Sequence, residues 1–193
     1  MSVNTSKIEI KEEHKMKILS NKLKSDLKLR TEKDFPVAGI EFIDITPLII
    51  QKDVLEEITN LFVEELEGLK IDYLVLPEAR GFLFGTSVAD RLNVGIIPVR
   101  KKGKLSPKYV ETSFEYTKEY GKDVFELPKL VDESYNGKNF YIIDDIYATG
   151  NTIKSIKNAI AGLGGNVLGA GTVINIPALN NDEIFSLIEI EEE

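Results

Sequence analysis

The chain has 193 residues, 42% of them hydrophobic, with no cysteine and a single histidine. That length suits one domain burying roughly two-thirds of its unfolded surface, and the residue counts exclude disulfide frameworks, thiolate metal sites and His-based metal triads. A formal net charge of -8 argues against a nucleic-acid or anionic-membrane surface, so an anionic ligand must find positive charge placed locally.

No run approaches the ~18 consecutive apolar residues of a membrane helix. The opening MSVNTSKIEIKEEHK is polar and charged rather than a signal peptide, so a soluble, cytoplasmic protein is expected. Met16, Leu19, Leu23 and Leu27 recur at helical spacing among lysines, which predicts an amphipathic helix inside an N-terminal extension covering 1–34. His14 falls in that helix and is given no role. Residues 35–49, FPVAGIEFIDITPLI, hold two prolines and a glycine without a sustained period and read as an ordered irregular segment. Val54, Leu55, Ile58, Leu61, Phe62, Leu66 and Leu69 trace a helix closing near Gly68.

Beyond this point strands and helices alternate: a strand at 71–76, a helix at 81–92, a strand at 94–99, then a polar stretch at 101–122 followed by an apolar run at 124–127. A polar stretch that long inside a compact domain is either a lid or disordered. A buried strand at 139–143, a helix at 152–163 closed by Gly164 and Gly165, a strand at 167–174 and another at 185–190 complete the pattern. Such alternation predicts an α/β domain on a parallel sheet.

The most informative string is FYIIDDIYATGNT at 140–152, a fully apolar strand ending in two carboxylates and then a small-residue turn opening a helix. Free N–H groups and the dipole at a helix start attract anions, so 148–152 reads as a phosphate nest. Gly150 lets the backbone curl close, while Thr149, Thr152 and the amides supply donors. Asp144 and Asp145 only accept when ionised and therefore call for hydroxyl donors or a cation beside them. No Walker loop and no complete dinucleotide glycine fingerprint is present.

This string resembles the phosphoribosyl pyrophosphate (PRPP) motif of the type I phosphoribosyltransferases. The resemblance implies that Asp144 and Asp145 hold the ribose hydroxyls and that Ala148, Thr149, Gly150, Asn151 and Thr152 hold the 5'-phosphate; Asn151 stands where the motif usually has glycine. LPEARGFLFG at 76–85, VGIIPVRKKGKL at 94–105, FEYTKEYGKD at 114–123 and FPVAGIEFIDITPL at 35–48 are similar to the adenine phosphoribosyltransferases in order and spacing.

That family implies a single domain over 35–193 with a mostly parallel twisted sheet flanked by helices, a flexible catalytic loop at 103–123 and a small base-binding hood at 35–50. It implies pyrophosphate contacts from Glu78, Ala79 and Arg80, with a non-proline cis peptide at Glu78–Ala79, and from Arg100, Lys101, Lys104 and Tyr120, basic residues being shared across a homodimer. The resemblance further implies that Arg80 and Glu119 carry the catalysis, Glu119 handling the base's proton, and that magnesium enters through PRPP without direct protein ligands. For the base, the resemblance implies stacking on Phe42 beside Glu41 and Ile43, with Ile176 lining the pocket. Ile43 replaces the family's usual arginine and Asn175 a common acid, which keeps hypoxanthine or guanine open as alternatives to adenine. A non-catalytic PRPP-sensing regulator is a further alternative, although no DNA-reading module is evident.

Overall fold

Residues 30–35, 37–39, 41–118 and 121–190 are described by a computed structural model. The helix expected around Met16 to Leu27, and the two site residues Glu119 and Tyr120, lie outside the described residues.

The described residues begin with a two-stranded antiparallel ribbon, β1 (Arg30–Lys33) against β2 (Glu41–Asp44), in which Arg30 pairs with Asp44 and Lys33 with Glu41. A short helix α1 (Thr46–Ile50) follows, then the longer α2 (Lys52–Leu66). The stretch 35–49 is thus more regular than its proline and glycine content suggests. Phe42 and Ile43 alternate across β2, with Ile43 buried, while Pro47 is tolerated because it falls in the first turn of α1.

The remaining elements are β3 (Tyr73–Pro77), α3 (Gly81–Leu92), β4 (Gly95–Lys101), β5 (Val110–Lys118), β6 (Gly121–Pro128), β7 (Asn139–Tyr147), α4 (Asn151–Gly162), β8 (Asn166–Asn175) and β9 (Phe185–Glu189). They form a seven-stranded sheet in the order β5-β6-β4-β3-β7-β8-β9. The five strands from β4 to β9 across β3, β7 and β8 run parallel, whereas β5 and β6 make an antiparallel hairpin added beside β4. Most of the polar stretch 101–122 is therefore strand. Its β-branched and aromatic residues Val110, Thr112, Phe114, Tyr116 and Thr117 favour pleated backbone, and Tyr116 gains a buried place for its ring.

Alternation along the central strands splits the core in two. Leu74 and Leu76 of β3 and Tyr141 and Ile143 of β7 join the layer under α2 and α3, built on Ile58, Phe62, Leu66, Phe84 and Val88. Val75, Phe140 and Ile142 face the other way and meet Ile153, Ile156 and Ile160 of α4 together with Tyr116 and Phe125 of the hairpin. Helices on both faces, with β3 central, put the change of chain direction between β3 and β7, since β4 leaves on one side of β3 and β7 on the other. Crevices beyond the carboxyl ends of strands at such a point are where open α/β sheets bind ligands.

Candidate active site

Three segments converge on that crevice. The loop after β3 begins with Glu78 and Ala79, joined by a cis peptide as the resemblance implies, and ends at Arg80, immediately before α3. Gly81 opens α3 and allows it to lie against β7: a Cβ there would stand 3.0 Å from the Ile143 carbonyl oxygen and 3.2 Å from Asp144 Oδ1. Arg80 Nε then reaches Asp145 Oδ2 at 2.7 Å, bridging β3 to β7. The guanidinium is 43% exposed and the carboxylate 6%, so the arginine retains donors on the open side while the acid is fixed beneath it.

The acid pair lies within β7 rather than just past its end, because pairing with β8 continues through Tyr147 opposite Asn175. Asp144 Oδ1 accepts the Asp145 amide at 2.9 Å, and both side chains are buried. Burial, reinforced by the neighbouring Asp145 charge, pushes the Asp144 carboxyl well above the usual aspartate range despite the opposing influence of Arg80. Asp145 Oδ2 has its ion pair with Arg80 but accepts no aligned hydrogen bond, so a hydroxyl donor would complete it.

After β7 the chain turns through Ala148 and Thr149 to Gly150, whose φ of 75° lies in the left-handed region, and enters α4 without a side-chain cap. The turn is only partly buried at Ala148, Thr149, Asn151 and Thr152, and the first amides of α4 are left for a ligand or solvent. Glycine is required twice over at position 150: by its φ, and because a Cβ would stand 2.6 Å from Tyr147 Cζ. Uncapped amides, a bent backbone and two upstream acids form a receptacle for a sugar phosphate, with Arg80 above it.

The sequence comparisons point the same way. A model of the phosphoribosyl transferase domain matches residues 48–191. The adenine phosphoribosyltransferase of Clostridium acetobutylicum is 42% identical over 160 residues, which cover 82% of this chain and 91% of that protein. The chain belongs to the adenine phosphoribosyltransferase branch of the phosphoribosyltransferase family. Among solved structures, the adenine phosphoribosyltransferase of Thermoanaerobacter pseudethanolicus superimposes with a TM-score of 0.78 at 38% identity, covering 88% of this chain and 99% of that one. The Saccharomyces cerevisiae enzyme, solved with an imino-altritol bisphosphate and adenine, gives 0.74 at 35% identity, covering 88% and 98%.

In this phosphoribosyltransferase the basic stretch is arranged differently from a row of free cations. Arg100 Nε donates to Glu78 Oε2 at 2.9 Å, the Lys101 amide donates to the same oxygen at 2.8 Å, and the Arg100 guanidinium lies 5.9 Å from the centre of the Phe82 ring. Burial raises the Glu78 carboxyl, but those donors outweigh it and hold it below the usual range. Arg100 thus braces the β3 loop within its own chain. Lys101, Lys102, Lys104 and Lys108 are exposed, and the turn carrying the first three is tied down by the Gly103 amide donating to buried Glu126 at 3.1 Å.

At the hood, Phe42 is half-buried and meets Phe35 edge-on at 5.1 Å between ring centres, while Ile43 points into the core shared with Leu48 and Val173. Ile176 packs at the border of the same core. Asp44 is held below the usual aspartate range chiefly by hydrogen bonds from Thr46, with Arg30 and Arg80 adding their charge, so the ribbon sits within the field of the β3 loop. Nothing in the sequence singles out Tyr147, Asn180 or Asp182, yet Asn180 touches the turn and Asp182 holds Tyr147 beneath it. The run at 180–182 reads as an ordinary polar loop.

Proposed function

We propose that this chain joins adenine to the ribose carbon of PRPP, forming AMP and releasing pyrophosphate. The observation that carries the reading is the uncapped start of α4 directly downstream of an acid pair that Arg80 contacts across the switch point. In the reaction the bond from C1' to the pyrophosphate oxygen breaks with its electron pair leaving on pyrophosphate. A ring nitrogen of adenine bonds to C1', and the base gives up its proton.

The nest at 148–152 grips the 5'-phosphate through backbone donors, and Asp144 and Asp145 take the ribose hydroxyls, fixing C1' relative to the base. Arg80 stabilises charge gathering on pyrophosphate, with Lys101, Lys104 and Tyr120 assisting. Glu119 accepts the base's proton. The β5–β6 hairpin serves as the lid, since reacting C1' must be kept from water. Phe42 stacks on the base, with main-chain groups at Glu41 and Ile43 reading its edge and Ile176 lining the pocket.

The residues fit a magnesium ion carried in on the oxygens of PRPP, because Asp144 and Asp145 bring negative charge to the ribose side while Asp145 Oδ2 stays paired with Arg80, so no direct protein ligand is called for. When bound, magnesium would neutralise part of the leaving group's charge. A homodimer sharing basic residues between sites and a cytoplasmic location complete this reading and rest on the family resemblance.

The test is an assay of the purified chain with PRPP and magnesium, offered adenine, hypoxanthine and guanine separately. AMP should form with adenine far faster than either 6-oxopurine nucleotide. Preference for a 6-oxopurine would overturn the base assignment, and no turnover with any base would overturn the enzyme.

A further inference from the structure

Both ends of the phosphate turn are fastened to one short stretch that no part of the mechanism has used. Asn180 lies just after the helical turn Pro177–Leu179 beyond β8, and its side-chain amide faces three acceptors. These are the Ala148 carbonyl at 2.9 Å, the Ile176 carbonyl at 2.9 Å and Asn175 Oδ1 at 3.1 Å. Its own Oδ1 accepts the Asp182 amide at 3.2 Å. Two residues later, Asp182 Oδ2 accepts from the Tyr147 hydroxyl at 2.9 Å and from Lys154 Nζ at 2.7 Å.

These contacts bear on the direction of the donors. A trans peptide points its C=O and N–H to opposite sides, so holding the Ala148 carbonyl on Asn180 directs the Thr149 N–H away from Asn180. Tyr147 backs Gly150 closely enough that no Cβ fits between them, and Asp182 holds that hydroxyl while also gripping Lys154 in the first turn of α4. Entry and exit of the turn are thereby referenced to two residues of one short stretch, Asn180 and Asp182. Preorganised donors stabilise an anion more than donors that must reorient on binding.

We infer that Asn180 is a positioning residue for the 5'-phosphate, seconded by Asp182 through Tyr147 and Lys154. The inference rests on the phosphoribosyl reading of the site. Asn180 acts through the Ala148–Thr149 peptide and not by touching the substrate, and it holds Ile176 of the base pocket only by the main-chain carbonyl, so its loss should weaken recognition of the phosphate far more than that of adenine.

The decisive variant is Asn180→Asp, which keeps the size of the side chain but turns an oxygen toward the Ala148 and Ile176 carbonyls. Asn180→Ala is the milder companion should the first fold poorly. Steady-state kinetics of the full chain should show the KM for PRPP rising about tenfold or more with the KM for adenine within about twofold, the size expected for losing an aligned hydrogen bond. AMP binding by calorimetry should weaken in step, and Asn181→Ala, its exposed neighbour, should behave as wild type. A KM for PRPP unchanged in both Asn180 variants, or KM values for both substrates rising together with a falling Tm, would overturn the inference. Wild type inactive with every purine would instead sink the reading beneath it.

Discussion

Asp144 sets stability against function at a single carboxyl. Its pKa is raised by burial and by Asp145, so the folded protein holds the proton more tightly than the unfolded chain, whose aspartates titrate near the ordinary 3.8. For a group shifted upward, the stabilisation is fully present below the unfolded value and is lost as pH rises through the folded one. At neutral pH, where the unfolded chain has given up this proton, the raised Asp144 carboxyl therefore opposes folding. An asparagine in its place removes the titrating group but also an acceptor for a ribose hydroxyl. Asp144→Asn should raise the Tm at pH 7 by a few degrees, lose that advantage in melts carried out below about pH 4, and raise the KM for PRPP at least tenfold. Equal melting of wild type and variant at pH 7 would show that the carboxyl is not held in the way its surroundings imply. Gly150 offers a second test of the same receptacle. Gly150→Ala combines a left-handed φ of 75° with a Cβ pressed on Tyr147, so urea melts should show a loss of about 1–2 kcal/mol or more, with PRPP recognition falling further than stability explains.

At the scale of elements, what the sequence discloses depends on how local the determining physics is. The helices α2, α3 and α4 were legible because their apolar periodicity, with closing glycines after α2 and α4, is a local signal, and β3, β4, β7 and β8 because buried parallel strands are continuous apolar runs. The β5–β6 hairpin was not. Its outer residues are charged, and its inner face is made by Tyr116, Phe125 and Leu127, with the rings of Tyr116 and Phe125 stacked at 3.9 Å between centres and nearly coplanar at 4°. That face belongs to the same core as Ile153 and Ile156 of α4, so the hairpin proposed as a lid shares a packing surface with the helix proposed to hold the phosphate. Tyr116→Leu keeps a buried apolar group but gives up the ring stack, about 1–2 kcal/mol of stability. If the hairpin excludes water, this variant should release ribose 5-phosphate and pyrophosphate from PRPP without transfer to adenine. The ratio of hydrolysis to AMP formation should rise several-fold over wild type; an unchanged ratio would mean that the hairpin does not guard the reacting carbon.

Over the whole molecule, the site's position was legible while its internal wiring was not. Asp144, Asp145 and Gly150 announce themselves in one contiguous string, but the bond from Arg80 to Asp145 and that from Arg100 to Glu78 join segments distant in sequence, and only the strand order brings them together. Charge is likewise uneven: a chain of net charge -8 places Lys101, Lys102, Lys104 and Lys108 in exposed positions along one stretch. Two modes of action on an anionic substrate follow, and they differ in their response to salt. A cation acting through its field over a distance comparable to the ~10 Å Debye length at 0.1 M salt is screened, whereas one in contact inside a partly buried site is screened much less. Lys104 is exposed on a turn, while Arg80 is anchored on buried Asp145. Lys104→Glu should therefore raise the KM for PRPP several-fold at about 0.01 M ionic strength, with the effect shrinking toward wild type by about 0.2 M. Arg80→Ala should lose activity by about a hundredfold or more at both ionic strengths, because a contact made to the leaving group disappears rather than a field. Measuring KM and kcat for both variants across that salt range separates the roles; a Lys104→Glu defect that persists undiminished at high salt would place Lys104 in direct contact with pyrophosphate.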